Sequence, residues 1–216
     1  MSLKIRTIAV TPIRQNCRLL TDSKTGTTVI IDPGGSFQKI LKIIKKEDLE
    51  PSAIWLTHSH FDHCGAVASL KKEFDIPLYA HKVGQSLREI VELAAARFAM
   101  PKAEDLTNCP EPEHYIDEGD SLTLGEEKFE VFFVPGHAPG HVVFYNAANQ
   151  TLIAGDTVFA GPIGRTDLPG GNFELLISGI RNKILTLPDD TKVLTGHGED
   201  TTVGEEKQSN PFFQDN

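Results

Sequence analysis

The stretch THSHFDHCG, Thr57 to Gly65, decides how this chain is read. It follows the β-branched and apolar run Ala53 to Leu56 and places four metal-competent groups, His58, His60, Asp62 and His63, within six positions. In extended or turn backbone, residues two apart project to the same side, so His58 and His60 can face one cation while Asp62 and His63 turn toward a second. The plainer alternative is a solvated loop at a helix N-terminus with Asp62 as its cap; four such groups in one short loop weigh against it. His58 and His60 fill only half of a tetrahedral shell, so further ligands must come from elsewhere.

Working outward, three places repeat the context of a β-run followed by glycine beside a candidate ligand. His137 lies in VPGHAPGH, Asp156 in LIAGDT and His197 in VLTGHG. Glycine there lets backbone approach a bound ion closely, and open α/β folds build their sites at the carboxyl ends of strands. Seven donors exceed one tetrahedral ion. They suit two metals about 3.5 to 4 Å apart, with Asp156 as the carboxylate able to face both. Imidazole and carboxylate without thiolate favour zinc, with iron or manganese also accommodated. His81 and His114 lack this context and read as ordinary histidines, and Cys64 as a small buried residue opening a helix. His141 reads equally as support behind the ligands or as packing. In the Gly/Pro-rich segment Phe159 to Asn172, a site wall, Arg165 can meet a substrate carboxylate or pair with Asp167.

Strands are expected over Lys4–Val10, Thr27–Asp32, Ala53–Leu56, Pro77–Ala80, Ser121–Leu124, Lys128–Val134, His141–Tyr145, Thr151–Ala154 and Lys192–Leu194. Helices are expected over residues 36–46 with Ser36 as cap, 64–74, 84–98 and 175–185. Residues 100–115, broken by Pro101, Pro110 and Pro112, read as a surface loop or a lid. Strands and helices alternate throughout with no dividing linker, so residues 1–216 read as a single α/β domain.

The 216 residues are 39% hydrophobic, enough for one core. Thirty acids against 21 Lys and Arg leave a net charge of −9 with no basic stripe, which argues against nucleic acid and anionic membranes as partners. No window has the length of a membrane span, and the first twenty residues hold no signal-peptide core. Three scattered cysteines form no disulfide framework. A cytoplasmic protein is expected, its oligomeric state left open.

With these residues in place, the chain resembles the metallo-β-lactamase fold and, within it, the glyoxalase II-like hydrolases. THSHFDH resembles the family signature, and VPGHAPGHVVF, GPIGRTDLPGGN and SNPFF resemble short bacterial glyoxalase II-like proteins over nearly the whole length. The resemblance implies an αββα sandwich: two mixed sheets face to face with helices outside. It assigns His58, His60 and His137 to a first metal, Asp62, His63 and His197 to a second, and Asp156 to both. Dinuclear β-lactamases carry Cys where Asp156 stands, which argues against antibiotic hydrolysis. The helical C-terminal region that grips glutathione in longer glyoxalase II enzymes has no counterpart before Asn216, which opens a wider thioester range.

The activity this implies is hydrolysis of a small-molecule thioester, S-lactoylglutathione to D-lactate and glutathione, by a hydroxide shared between two divalent metals and aimed by Asp62 as the catalytic residue. Its rivals are a mononuclear iron persulfide dioxygenase, whose GRTD loop resembles residues 164–167, a lactone or other ester hydrolase, and a metal-buffering module.

Overall fold

The computed structural model describes residues 2–104 and 106–214. Its first sheet takes strands in chain order: β1 (Leu3–Val10), β2 (Gln15–Asp22), β3 (Thr27–Ile31), β4 (Glu50–Trp55), β5 (Leu78–Ala80) and β6 (His114–Tyr115). Pairing is antiparallel from β1 to β3 and parallel from β3 to β6. The second sheet runs β12-β11-β10-β9-β8-β7, from β7 (Ser121–Leu124), β8 (Glu127–Phe133), β9 (Val142–Asn146), β10 (Thr151–Gly155), β11 (Lys192–Thr195) and β12 (Thr201–Thr202). It is antiparallel except where β10 meets β11.

Period-two side-chain alternation sorts the strand residues into three apolar layers. Val29, Ile31 and Trp55 of the first sheet meet Phe129, Val131, Phe144, Ile153 and Leu194 of the second between the sheets. Trp55 crosses that layer, with its ring 5.4 Å from Phe129 and 5.6 Å from Phe144. Ile30 and Leu19 point the other way, toward Ile40 and Ile44 of α1 (Phe37–Lys46), Val67 and Leu70 of α3 (Val67–Phe74) and Val91 of α5 (Val91–Arg97). Val143, Leu152 and Val193 pack on Leu176 of α6 (Phe173–Gly179) and Val203 of α7 (Val203–Ser209). Helix, sheet, sheet, helix is the layering the resemblance implied. No helix among the described residues is long and apolar enough to cross a membrane.

Several local expectations need correction. Strand β2 was not anticipated: nearly every residue of QNCRLLTD is buried, because β1 and β3 flank it and both faces are covered, so the sequence shows no alternation. Ser36 precedes α1 but does not cap it. Its φ of 51° turns the hydroxyl away, to accept from Thr11 N–H at 3.0 Å and donate to Glu104 at 2.6 Å. The helix expected over 64–74 starts earlier, as a turn α2 (Phe61–Cys64), and resumes as α3. After α6 the chain continues as a π-helical turn, Ile180–Ile184.

The helix expected over 84–98 splits into α4 (Gln85–Arg88) and α5, because residues 108–109 compete for its backbone. Cys109 N–H bonds to the Arg88 carbonyl, and Glu92 N–H to Asn108 Oδ1. Residues 100–104 and 106–115 are accordingly docked: Thr107 N–H bonds to the Gly65 carbonyl, Lys102–Glu104 form a 3₁₀ turn, and His114–Tyr115 close the sheet edge. Helix α7, also unanticipated, opens with a capping box between Thr202 and Glu205.

Candidate metal centre

Four strands end at one edge of the sandwich and release the candidate ligands there: β4 before His58, β8 before His137, β10 before Asp156 and β11 before His197. The two sheets are tied together at this edge. Val142 N–H bonds to the Thr57 carbonyl, and Asn16 N–H to the Gly196 carbonyl. Arg18, fully buried on β2, donates to the Thr195 carbonyl at 2.8 Å and to Asp200 at 2.5 Å, fixing the loop that carries His197.

The side chains meet in two groups. His58 Nε2 and His60 Nδ1 lie 3.1 Å apart, and His60 Nδ1 lies 3.0 Å from His137 Nε2. Asp62 Oδ2 lies 3.1 Å from His197 Nε2 and 3.7 Å from His63 Nε2. Asp156 touches both: Oδ1 is 3.3 Å from His63 Nε2, while Oδ2 is 3.5 Å from His137 Nε2 and 3.6 Å from His197 Nε2.

In four of the rings, hydrogen bonds on the far side assign which nitrogen is bare when the ring is neutral. His137 Nδ1 donates to the Arg165 carbonyl at 2.9 Å and His197 Nδ1 to the Ile13 carbonyl at 3.3 Å. His63 Nδ1 donates to Asp32 at 3.0 Å. The Thr57 hydroxyl spends its proton on Asp32 at 2.6 Å, so at 3.1 Å it accepts from His58 Nδ1. When neutral, His58, His63, His137 and His197 therefore turn an unprotonated nitrogen inward, toward one another and toward the carboxylates of Asp62 and Asp156. His63 Nε2 and Asp156 Oδ1 are buried without any hydrogen-bond partner. Lone pairs facing lone pairs in a buried site are what a cation resolves, so the donor set fits divalent metal.

Electrostatics divide the two groups. Burial, reinforced by neighbouring imidazoles, lowers His58 well below the usual histidine value and pushes His60 down to about 4; burial also lowers His137. These rings are neutral at pH 7 and ready to ligate. For His63 and His197 burial acts in the same sense, but it is outweighed by Asp156 and Asp62, and both are raised. Burial likewise works against ionising Asp62 and Asp156, yet His63 and the other imidazoles hold both carboxylates below their ordinary value. Cations at the second group would displace protons on binding.

His141 donates no bond to this cluster. Its Nε2 accepts from Asp156 N–H at 3.0 Å, and its ring stacks on His58 at 4.6 Å. Arg165 stands at the rim with its guanidinium forked onto Asp167 at 2.7 and 2.8 Å, and only its carbonyl reaches inward, to His137. His81 stacks on Phe133 and His114 on Tyr79, away from both groups. The Cys64 thiol bonds to the Ser59 and His60 carbonyls. A Cβ on Gly196 would stand 1.9 Å from Asp156 Oδ1, so glycine is required beside the cluster. At Gly136, with φ of 131°, the close neighbour is instead Leu176 N, 2.5 Å from a Cβ, so that glycine serves helix packing.

Two residues escaped the sequence reading. Asp32 receives Thr57 N–H at 2.7 Å, the Thr57 hydroxyl and His63 Nδ1, so one carboxylate orients a ring in each group. It ends the strand expected over Thr27–Asp32, before Pro33, Gly34 and Gly35, nearly the context that singles out Asp156. Arg88, buried behind the loop, donates to Ser59 Oγ at 3.3 Å and to the His81 carbonyl at 3.1 Å, steadying the residue between His58 and His60.

The cluster forms the floor of a cleft of about 750 Å³. One wall runs along α4, α5 and Phe98; the other is the loop from Phe159 to Pro169.

Comparison with known proteins agrees with this arrangement. The chain is 39% identical over 213 residues to hydroxyacylglutathione hydrolase GloC of Haemophilus influenzae, covering 98% of both. It is similar to the crystal structure of BLEG-1 B3 metallo-beta-lactamase, with a TM-score of 0.90 and 39% identity over 98% of this chain and 100% of that one. It is also similar to TTHA1623 in a di-iron-bound form, with a TM-score of 0.87 and 37% identity over 96% and 99%. The family model of the metallo-beta-lactamase superfamily matches residues 10–197, from the end of β1 through the last of the clustered histidines, and the chain belongs to that superfamily.

Proposed function

We propose that this protein is a metal-dependent hydrolase of thioesters, with S-lactoylglutathione, cleaved to D-lactate and glutathione, as the first substrate to test. The observation that carries the reading is the pair of donor groups joined by Asp156 at the floor of an open cleft. His58, His60 and His137 would hold one divalent cation and Asp62, His63 and His197 a second, with Asp156 serving both. When bound, such a pair supplies Lewis-acid polarisation of a carbonyl oxygen and a water ionisable near neutral pH.

The chain's own residues do the rest. Asp62, kept ionised, accepts a hydrogen bond from the attacking water and directs it at the carbonyl carbon. His141 holds Asp156 through its backbone N–H, and Asp32 locks the rings of His58, by way of Thr57, and His63. The cleft lining includes no lysine, tyrosine or cysteine among the described residues, and its carboxylates are held ionised or face solvent. A thiolate, leaving near its own pKa of about 8.5, needs little help from a general acid, which favours thioesters over amides. The name of the Haemophilus relative supports the same substrate class.

A second reading, β-lactam hydrolysis, draws on the full-length likeness to BLEG-1, which removes weight from the argument based on Asp156 in place of Cys. One experiment separates these and the iron dioxygenase. Protein loaded in turn with zinc, manganese and iron is analysed for metal and assayed on S-lactoylglutathione, on a chromogenic β-lactam and, with an oxygen electrode, on glutathione persulfide. Two metal equivalents with thioester cleavage and no oxygen uptake are expected; an intact thioester under every metal overturns the proposal.

A further inference from the structure

Large exposed apolar side chains are scattered over most of the surface, but Ile13, Ile90, Leu93 and Phe98 gather at the mouth of one cleft. Leu93 and Phe98 remain about half exposed, at 51% and 49%. Behind them Phe98 packs on Phe61 with ring centroids 5.2 Å apart, and Phe61 opens the turn that carries Asp62 and His63. The apolar wall is thus continuous with the metal-binding floor. Opposite stand Phe159, Ile163 and Leu168.

Along the walls charge is sparse, with few cations to grip a polar anionic arm. Among the described lining residues the cations outside the histidine cluster are Arg97 and Arg165, and Arg165 is already forked onto Asp167. Of the lining acids, Asp62 and Asp156 belong to the metal-binding floor, and Glu199 stands exposed at the rim. A peptide-like thiol bearing two carboxylates finds few partners between these walls, whereas an alkyl chain finds two apolar faces and a volume typical of small-molecule sites.

We propose that the cleft is an acyl-chain subsite: the substrate's acyl group is an unbranched hydrophobic chain lying between α5 with Phe98 and the 159–169 loop, its carbonyl at the floor. The inference rests on the thioester reading for the reaction, but not for the binding of the chain. Burying one methylene on these walls corresponds to about a fourfold gain in affinity, the factor equivalent to about 0.8 kcal/mol.

The test uses zinc-loaded protein and straight-chain alkanoates, which are the products of such a hydrolysis, titrated by calorimetry from butanoate to decanoate. The dissociation constant is expected to fall about threefold to fourfold per methylene up to octanoate. The double substitution Leu93→Ser and Phe98→Ser should flatten that fall, while Leu175→Ser, equally exposed on α6 but outside the cleft, should leave it unchanged. Affinity independent of chain length, or equal flattening by Leu175→Ser, overturns the subsite. In parallel, kcat/KM is measured on lactoyl-, butanoyl- and octanoylglutathione, which share one thiol. Rising values support the subsite. Cleavage of all three at equal rates, with flat calorimetry, sinks the subsite and spares the thioester reading. Chain-dependent binding with no cleavage sinks the thioester reading and leaves the subsite standing.

Discussion

At the floor of the cleft four of the imidazoles have their outward nitrogen tied down, to Thr57, Asp32, the Arg165 carbonyl or the Ile13 carbonyl. Along the walls, Leu93 and Phe98 end in solvent with no polar group to fix them. The floor is over-determined by bonds arriving from both sheets, whereas the Leu93 and Phe98 side chains have only apolar contact to place them. Rigid polar geometry suits reacting atoms, which must be placed to within a fraction of an ångström, while loose apolar surface suits an arm whose identity can vary. Damage to the floor should therefore appear in kcat and metal content, and damage to the walls in KM and substrate choice.

The largest effect is expected from chelation. Stripping metal should reduce thioester cleavage to the uncatalysed rate while far-ultraviolet dichroism persists, since the three apolar layers need no ion, and two equivalents of zinc should restore it. Full activity in protein shown to be metal-free would place the chemistry elsewhere. Next is Asp62→Asn, expected to lower kcat by about 10² to 10⁴-fold with the fold retained; unchanged turnover would leave the floor as a closed structural site. Asp32→Ala should weaken metal affinity or activity by about 10 to 100-fold, measured by competition with a chromogenic chelator, although Asp32 is in neither group joined by Asp156. It should also lower stability by about 1 to 3 kcal/mol in urea denaturation, because Thr57 and His63 lose their buried acceptor.

On the walls the effects shrink. Phe159→Ala should raise KM by about threefold to tenfold at nearly constant kcat; a fall in kcat alone would mean that the loop supports the floor after all. Smallest is Arg165→Ala, which removes an exposed ion pair but keeps the carbonyl that holds His137, so kcat/KM should change by less than about fivefold. A larger loss would assign the guanidinium to substrate.

The His58 to His63 loop was legible because its donors are adjacent in sequence, and His137, Asp156 and His197 because each follows a β-run and a glycine. Asp32 was not, since its partners stand 25 and 31 residues away and only the parallel pairing of β3 with β4 makes them neighbours. Strand β2 was hidden for a related reason: a strand covered on both faces loses the alternation by which strands are recognised. The break between α4 and α5 was equally invisible, because the run SLREIVELAAARF is a good helix former and yields only to hydrogen bonds from residues 108–109.

What the amino-acid sequence determined alone is the chemistry on offer: imidazoles and carboxylates at strand ends, short β-branched and apolar runs that mark strands, and glycines where backbone must come close. Local composition carries these facts, because periodicity and ligand type belong to each residue and its immediate neighbours. The tertiary structure alone decided which nitrogen of each ring faces inward, that Asp156 touches both groups, and that Arg165 is held by Asp167. It also decided that the floor lies beneath two apolar walls. Each of these depends on distances between segments far apart in the chain, and those distances exist only once both sheets have packed on one core.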